Sequence, residues 1–186
     1  MTTSRNRLLI LVATVVATVG IDQWTKVLAT NHLQGHPDQF YFGDVLRLTY
    51  TLNTGAFLSL GSELGPTLRP ILLNFFPALL LVGLVYYIFR ELRLNRWQIV
   101  ALSLIVGGGL SNIIDRLAYG HVVDMLHLKV ASLQTGIFNV ADMAIMAGMF
   151  MMLPFVFAGE PSDPLPKQDA TPEAGTDEPV LSDRAN

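Results

Sequence analysis

Four apolar stretches, residues 8–28, 71–89, 97–117 and 137–157, constrain this chain more than anything else in it. As helices they rise about 28 to 30 Å at 1.5 Å per residue, the thickness of a bilayer's hydrocarbon core. With 51% of its 186 residues hydrophobic, the chain reads as a multi-pass membrane protein rather than a soluble core. Arg5 and Arg7 before the first stretch look like the start of a cleaved signal peptide. The helical pattern nevertheless continues past Asp22 through Trp24 and residues 27–29, which favours a spanning helix. Pro77 should kink the second span, a feature that membrane helices tolerate.

Arg90, Arg93 and Arg96 lie between the second and third spans. With Arg5 and Arg7 they place that loop and both termini in the cytoplasm, and residues 31–65 and 120–136 outside. The formal charge of -3 is a property of the C-terminal segment. From Glu160 onward there are seven acidic and two basic residues, whereas the residues before it carry ten basic and eight acidic. Residues 159–186, rich in proline and charge, read as a disordered tail, and residues 1–158 as a single membrane domain. No basic patch suggests nucleic acid. Without cysteine there is no disulfide, thiolate nucleophile or thiolate metal site.

Outside the spans, residues 45–52 alternate with period two. Leu46, Leu48, Tyr50 and Leu52 share one face, and Arg47, Thr49 and Thr51 the other, as in a half-buried strand. Asn53, Thr54 and Gly55 then bring turn chemistry, and residues 57–60 read as a returning partner strand. Residues 122–133 read as a short semi-apolar stretch lying along the interface. The expected fold is an all-α polytopic protein, with four transmembrane helices and a small extramembrane β-sheet at about 40–62.

The costly residues are polar ones at membrane depth. An ionised carboxylate in hydrocarbon costs at least about 2.5 kcal/mol, so Asp22, Asp115 and Asp142 require a protein or wet interior. Asp22 and Lys26 are four apart, acid first. That spacing alone reads as an ordinary interfacial ion pair, although a position about 21 Å from Leu8 is short of the interface. Asn112, Asp115 and Arg116 share a helix face, as do Asn139 and Asp142. Gly107, Gly108 and Gly109 permit close approach of a helix or of a peptide. Counted along the helices, Asp22, Asn112 and Asp142 fall at one level, in the outer third of the bilayer. His121 and His127 lack metalloprotease spacing, so neither a metal nor an organic cofactor is expected.

Two carboxylates brought together share a proton, leaving one as base towards water and the other as acid towards a carbonyl. The motifs Asp22-Gln23-x-x-Lys26, Asn53-Thr54-Gly55-Ala56, Gly107-Gly108 with Asn112-x-x-Asp115-Arg116, Val123-Asp124 and Phe138-Asn139-Val140-Ala141-Asp142 occur in order. In this the chain resembles the bacterial lipoprotein signal peptidases (signal peptidase II) over residues 8–157. The resemblance implies an intramembrane aspartyl endopeptidase with Asp124 and Asp142 as the catalytic pair. Asn53, Gly55, Asn112, Arg116 and Asn139 would line the substrate pocket, and Asp22, Lys26 and Asp115 would support it. It implies a bacterial inner-membrane enzyme, active near the outer leaflet, with a short interfacial helix before the last span. Its partners would be membrane lipid and diacylglyceryl-modified prolipoproteins, cut just before the lipidated cysteine. A monomer is expected. Ser111 and Met125 depart from the family's common residues and put only local packing in doubt. The competing reading is a small transporter or proton-conducting protein whose intramembrane acids bind cations; it calls for inverted repeats, and the sequence shows none.

Overall fold

The architecture comes from a computed structural model that describes residues 3–55, 65 and 67–157. Among these, four helices are long and apolar enough to cross a membrane: α1 Ser4–Leu33, α2 Leu68–Arg90, α3 Arg96–Tyr119 and α4 Val140–Phe157. Strands β1 Gln39–Tyr41 and β2 Leu46–Asn53 follow α1, and β3 Val122–Val130 and β4 Leu133–Gln134 follow α3. They form one antiparallel sheet in the order β1-β2-β3-β4.

The helices are inverted relative to those of a soluble protein. On α1 the buried face carries Arg7, Thr18, Asp22 and Lys26, while Leu8, Leu9, Val12, Val16 and Ile21 are exposed. Polar groups that lipid cannot satisfy point inward, and apolar ones point where acyl chains would lie. The helix ends are set locally. Asn95 and Gln98 form a reciprocal capping box at the start of α3. Gly120, at φ 77°, ends it in the left-handed region that favours glycine.

α2 runs as a π-helix over Ile71–Phe75, immediately before Pro77. The wider turn accommodates the missing N–H of Pro77 and its clash with the carbonyl four residues back. Arg7 is only 2% exposed and donates to the carbonyls of Ile88 (2.7 Å), Glu91 (2.6 Å) and Leu92 (2.8 Å). It thereby satisfies the carbonyl end of α2 and fixes the N-terminus of α1 beside the α2–α3 loop. Close by, Leu11, Ile88, Leu94, Ile99, Leu102 and Val106 form one apolar core.

The glycine question is answered by helix packing. A Cβ on Gly108 would collide with the carbonyl oxygen of Ala141 and lie 2.8 Å from Ile145 Cγ1. A Cβ on Gly148 would meet the carbonyl oxygen of Ala101, and Ile105 Cγ1 at 2.7 Å. The two antiparallel helices α3 and α4 therefore touch backbone to backbone. Gly108→Ala and Gly148→Ala are each expected to cost about 1 to 3 kcal/mol, because backbone cannot yield as a side chain can. Gly83→Ala, with no heavy atom within 4 Å of the added methyl, is the control. Thermal unfolding in detergent checks this, and equal midpoints for all three would contradict it.

Several expectations are corrected. Residues 122–133 form no interfacial helix. They supply β3 and the turn into β4, so the fold is helical with a four-stranded sheet rather than all-α. β2 pairs with β3, from Leu46↔Leu128 to Asn53↔Val122, and with β1 on its other edge. The return strand expected at residues 57–60 and the tail at 159–186 lie outside the described residues. α4 begins at Val140 rather than Ile137, because Asn139 is its cap. α1 runs five residues past Leu28, and there Ala29 and Leu33 pack against Met125 and the sheet's apolar face.

Candidate active site

The close α3–α4 contact and the sheet standing over it bring the polar residues of four elements together. Asn139 is the centre. Its side-chain oxygen accepts from the Asp142 N–H (3.0 Å), and its own N–H donates to Asp142 Oδ2 (3.2 Å). This reciprocal cap fixes the Asp142 carboxylate in the first turn of α4. The Asn139 amide also donates to Asp124 Oδ1 at 2.6 Å. One residue thus ties together the two aspartates singled out from the sequence.

Each carboxylate has a second donor. Asn53, the last residue of β2, gives its Nδ2–H to Asp124 Oδ2 at 2.8 Å. Asn112 on α3 gives Nδ2–H to Asp142 Oδ1 at 2.9 Å. Asn53 is held in turn by the Gly55 N–H, which donates to its Oδ1 at 2.9 Å. The Arg116 guanidinium donates to the Gly55 carbonyl at 2.8 and 3.3 Å. All the residues expected in the pocket are therefore within one linked set.

Behind the pair lies a buried charge cluster. Lys26, 4% exposed, meets Asp22 at 2.6 Å, Asp115 at 2.5 Å and Asn112 Oδ1 at 3.1 Å. Its three donors are matched by three acceptors. Asp22 also accepts from the backbone N–H of Ala141 at 2.8 Å, the residue before Asp142. The Asp22–Lys26 spacing therefore reports a structural pair inside the bundle, not an interfacial one.

Two members of this cluster were not legible as such. Ser111, fully buried, donates to Asp22 Oδ2 at 2.7 Å and accepts from Gln23 Nε2 at 3.0 Å. Gln23 also donates to Asp115 Oδ1 at 2.7 Å. A serine in place of a common glycine is thus wired into the cluster and is more than local packing. Met125, the other departure, is buried against Ala29 and Leu33. Among the described residues no group of three His, Asp or Glu side chains is arranged to hold a metal ion.

Burial pushes the Asp124 carboxyl from the ordinary 3.8 up to about 6. The hydrogen bonds from Asn53 and Asn139 oppose this, and the charge of Asp142 adds to it. A carboxyl whose pKa is higher folded than unfolded destabilises the fold once it ionises. The expected result is no penalty below about pH 4, growing to at most about 3 kcal/mol as pH rises through about 6. Denaturation in detergent from pH 4 to 8 reads this slope. It should shrink in Asp124→Asn, and an identical slope in that variant would contradict it.

The comparisons with known proteins agree with this arrangement. The profile of the family described as signal peptidase (SPase) II matches residues 14–158. The lipoprotein signal peptidase of Acinetobacter baumannii is 35% identical over 141 residues, covering 74% of this chain and 77% of that protein. That of Borrelia hermsii is 33% identical over 159 residues, covering 82% and 92%. A bacterial membrane enzyme solved by the in meso method at 2.3 Å superposes with a TM-score of 0.70 at 25% identity, over 80% of this chain and 87% of that one. On the matched profile and on relatives of this identity and coverage, the chain belongs to the signal peptidase II family.

Proposed function

We propose that this chain is an aspartyl endopeptidase that removes the signal peptide from diacylglyceryl-modified prolipoproteins, cutting just before the lipidated cysteine. Membership of the signal peptidase II family supports the substrate. One observation supports the catalytic type: Asn139 bridges the Asp124 and Asp142 carboxylates, each of which keeps an oxygen bonded to a further amide.

In this mechanism one carboxylate of the Asp124–Asp142 pair, ionised, takes a proton from water, and the hydroxide equivalent attacks the scissile carbonyl carbon. Its protonated partner donates to the carbonyl oxygen, the shared proton belonging to the pair rather than to either residue. The tetrahedral intermediate collapses as the proton taken from water passes to the departing amine of the cysteine, and the proton lent to the carbonyl oxygen returns to the acid carboxylate as the new carboxyl group forms. Asn53, Gly55, Asn112 and Arg116 present amides and a guanidinium around the pair, to position the substrate backbone. Asp22, Lys26 and Asp115 hold these groups in place. Residues 1–158 form one multi-pass domain, working as a monomer in the bacterial membrane. Both termini and the tail at 159–186 are cytoplasmic, and the active site opens near the outer leaflet, where the substrate's lipid is anchored.

The test is purified protein with a diacylglyceryl-modified prolipoprotein, with products identified by mass. The expected result is one cut, immediately before the modified cysteine. No cut would overturn the reading, and so would equal cutting of the unmodified precursor.

A further inference from the structure

Beyond the dyad, one cavity extends onto the sheet. It measures about 330 Å³, and Asp124 forms part of its wall. Thr49, Thr51, Arg47 and His127 line it on the sheet side together with Asp38, and residues 135–137, the connection into α4, line the other. Its polar face is the Arg47, Thr49, Thr51 face of β2. The strand register shifts between Leu48 and Thr51. Around that irregularity Asp124 and His127, three apart on β3, both face the cavity, whereas regular alternation would put them on opposite sides. Met125 and Leu126, between them, line the apolar cavity on the sheet's other face. The bulge thus carries the catalytic carboxylate and a more distant polar pair into one groove.

Arg47 and His127 are cross-strand partners, three residues along β3 from Asp124, or about 10 Å. The Arg47 guanidinium is stacked over the Phe40 ring at 4.7 Å. Its carboxylate neighbours are at a distance: Asp38 at 3.8 Å and Asp44 at 3.6 Å, the latter closer to Lys129 at 3.1 Å. Its buried Nε–H has no acceptor among the described residues. A guanidinium oriented by a ring, paired only at 3.6 to 3.8 Å with Asp44 and Asp38 and lining a groove that starts at Asp124, is suited to receive a planar acceptor that displaces these long contacts.

We propose that this groove binds the mature side of the substrate in extended form, and that Arg47 favours a carboxylate side chain two residues beyond the lipidated cysteine. The offset follows from about 3.3 Å per extended residue. The inference rests on the peptidase reading and adds a specificity determinant to it.

The experiment uses diacylglyceryl-modified prolipoprotein peptides that differ only at that position, Asp against Lys, with the full chain in detergent. The parent should show KM about tenfold lower for the Asp peptide at similar kcat. Arg47→Glu should reverse the order, improving the Lys peptide, a gain that structural damage cannot produce. Arg47→Gln, the milder change should Arg47→Glu not fold, should level the two. Equal KM values in the parent would overturn the inference, as would the parental order surviving in either variant. Failure of the parent to cut either peptide would instead defeat the peptidase reading, and this inference with it.

Discussion

Asp124→Asn and Asp142→Asn are each expected to lower cleavage of a diacylglyceryl-modified prolipoprotein by about 10³- to 10⁴-fold, with the fold intact. The magnitude is that of losing a positioned acid or base. The double variant should lose little more than either single one, because residues that act as a unit are strongly non-additive. An amide is nearly isosteric with a carboxylate, but it can neither accept the proton of water nor donate one of comparable acidity. Initial rates measured on folded, monodisperse protein decide the matter. Either variant retaining parental rates would remove that aspartate from the chemistry, and multiplicative losses would argue against a shared proton.

The second large effect concerns Lys26. Replacing it with methionine keeps the length of the side chain and leaves Asp22 and Asp115 buried with no cation between them. Asp22 is fully buried and Asp115 is 3% exposed, so solvent cannot take over the role of the ammonium. Breaking such a buried pair from one side costs about 3 to 5 kcal/mol, a large share of a domain's stability. Lys26→Met should therefore give little folded protein, seen as a collapse of the monodisperse peak and of the unfolding midpoint. Adding Asp115→Asn removes one of the stranded charges and should recover part of the loss. Lys26→Met folding as stably as the parent would show that the cluster does not carry this weight. Activity should follow the fold, since Asp22 holds the N–H of Ala141 and Lys26 holds Asn112, the two groups that seat Asp142.

What could be read in advance differed by element, for physical reasons. The spans were legible because lipid demands long apolar runs, and their ends shifted where local contacts acted: a cap at Asn139, and packing against the sheet at Ala29 and Leu33. β2 was legible from its alternation. β3 was not: residues 122–130 are a short apolar run in which helix and strand look alike, and its partner lies some 70 positions away in the sequence. The level shared by Asp22, Asn112 and Asp142 followed from counting rise per residue. Their bonding did not, because it depends on how closely α3 and α4 approach through Gly108 and Gly148. Gln23 stood within a motif and Ser111 as a departure from the family's common residue, but neither signalled its partners, since a glutamine and a serine on a helix have many ordinary uses. Arg7 served as an orientation marker in the sequence, while its structural task, holding the end of α2, emerged only with the fold. The transporter alternative called for inverted repeats, and the family match decides against it.

The most direct measurement is a single turnover in heavy-oxygen water, with enzyme in excess over a diacylglyceryl-modified prolipoprotein and the released signal peptide weighed by mass spectrometry. If Asp142 and Asp124 activate water and carbonyl together, the new C-terminal carboxylate carries one heavy oxygen from the first turnover. A first-turnover product without the label would mean that an enzyme carboxylate had attacked the peptide itself, contradicting the paired acid and base.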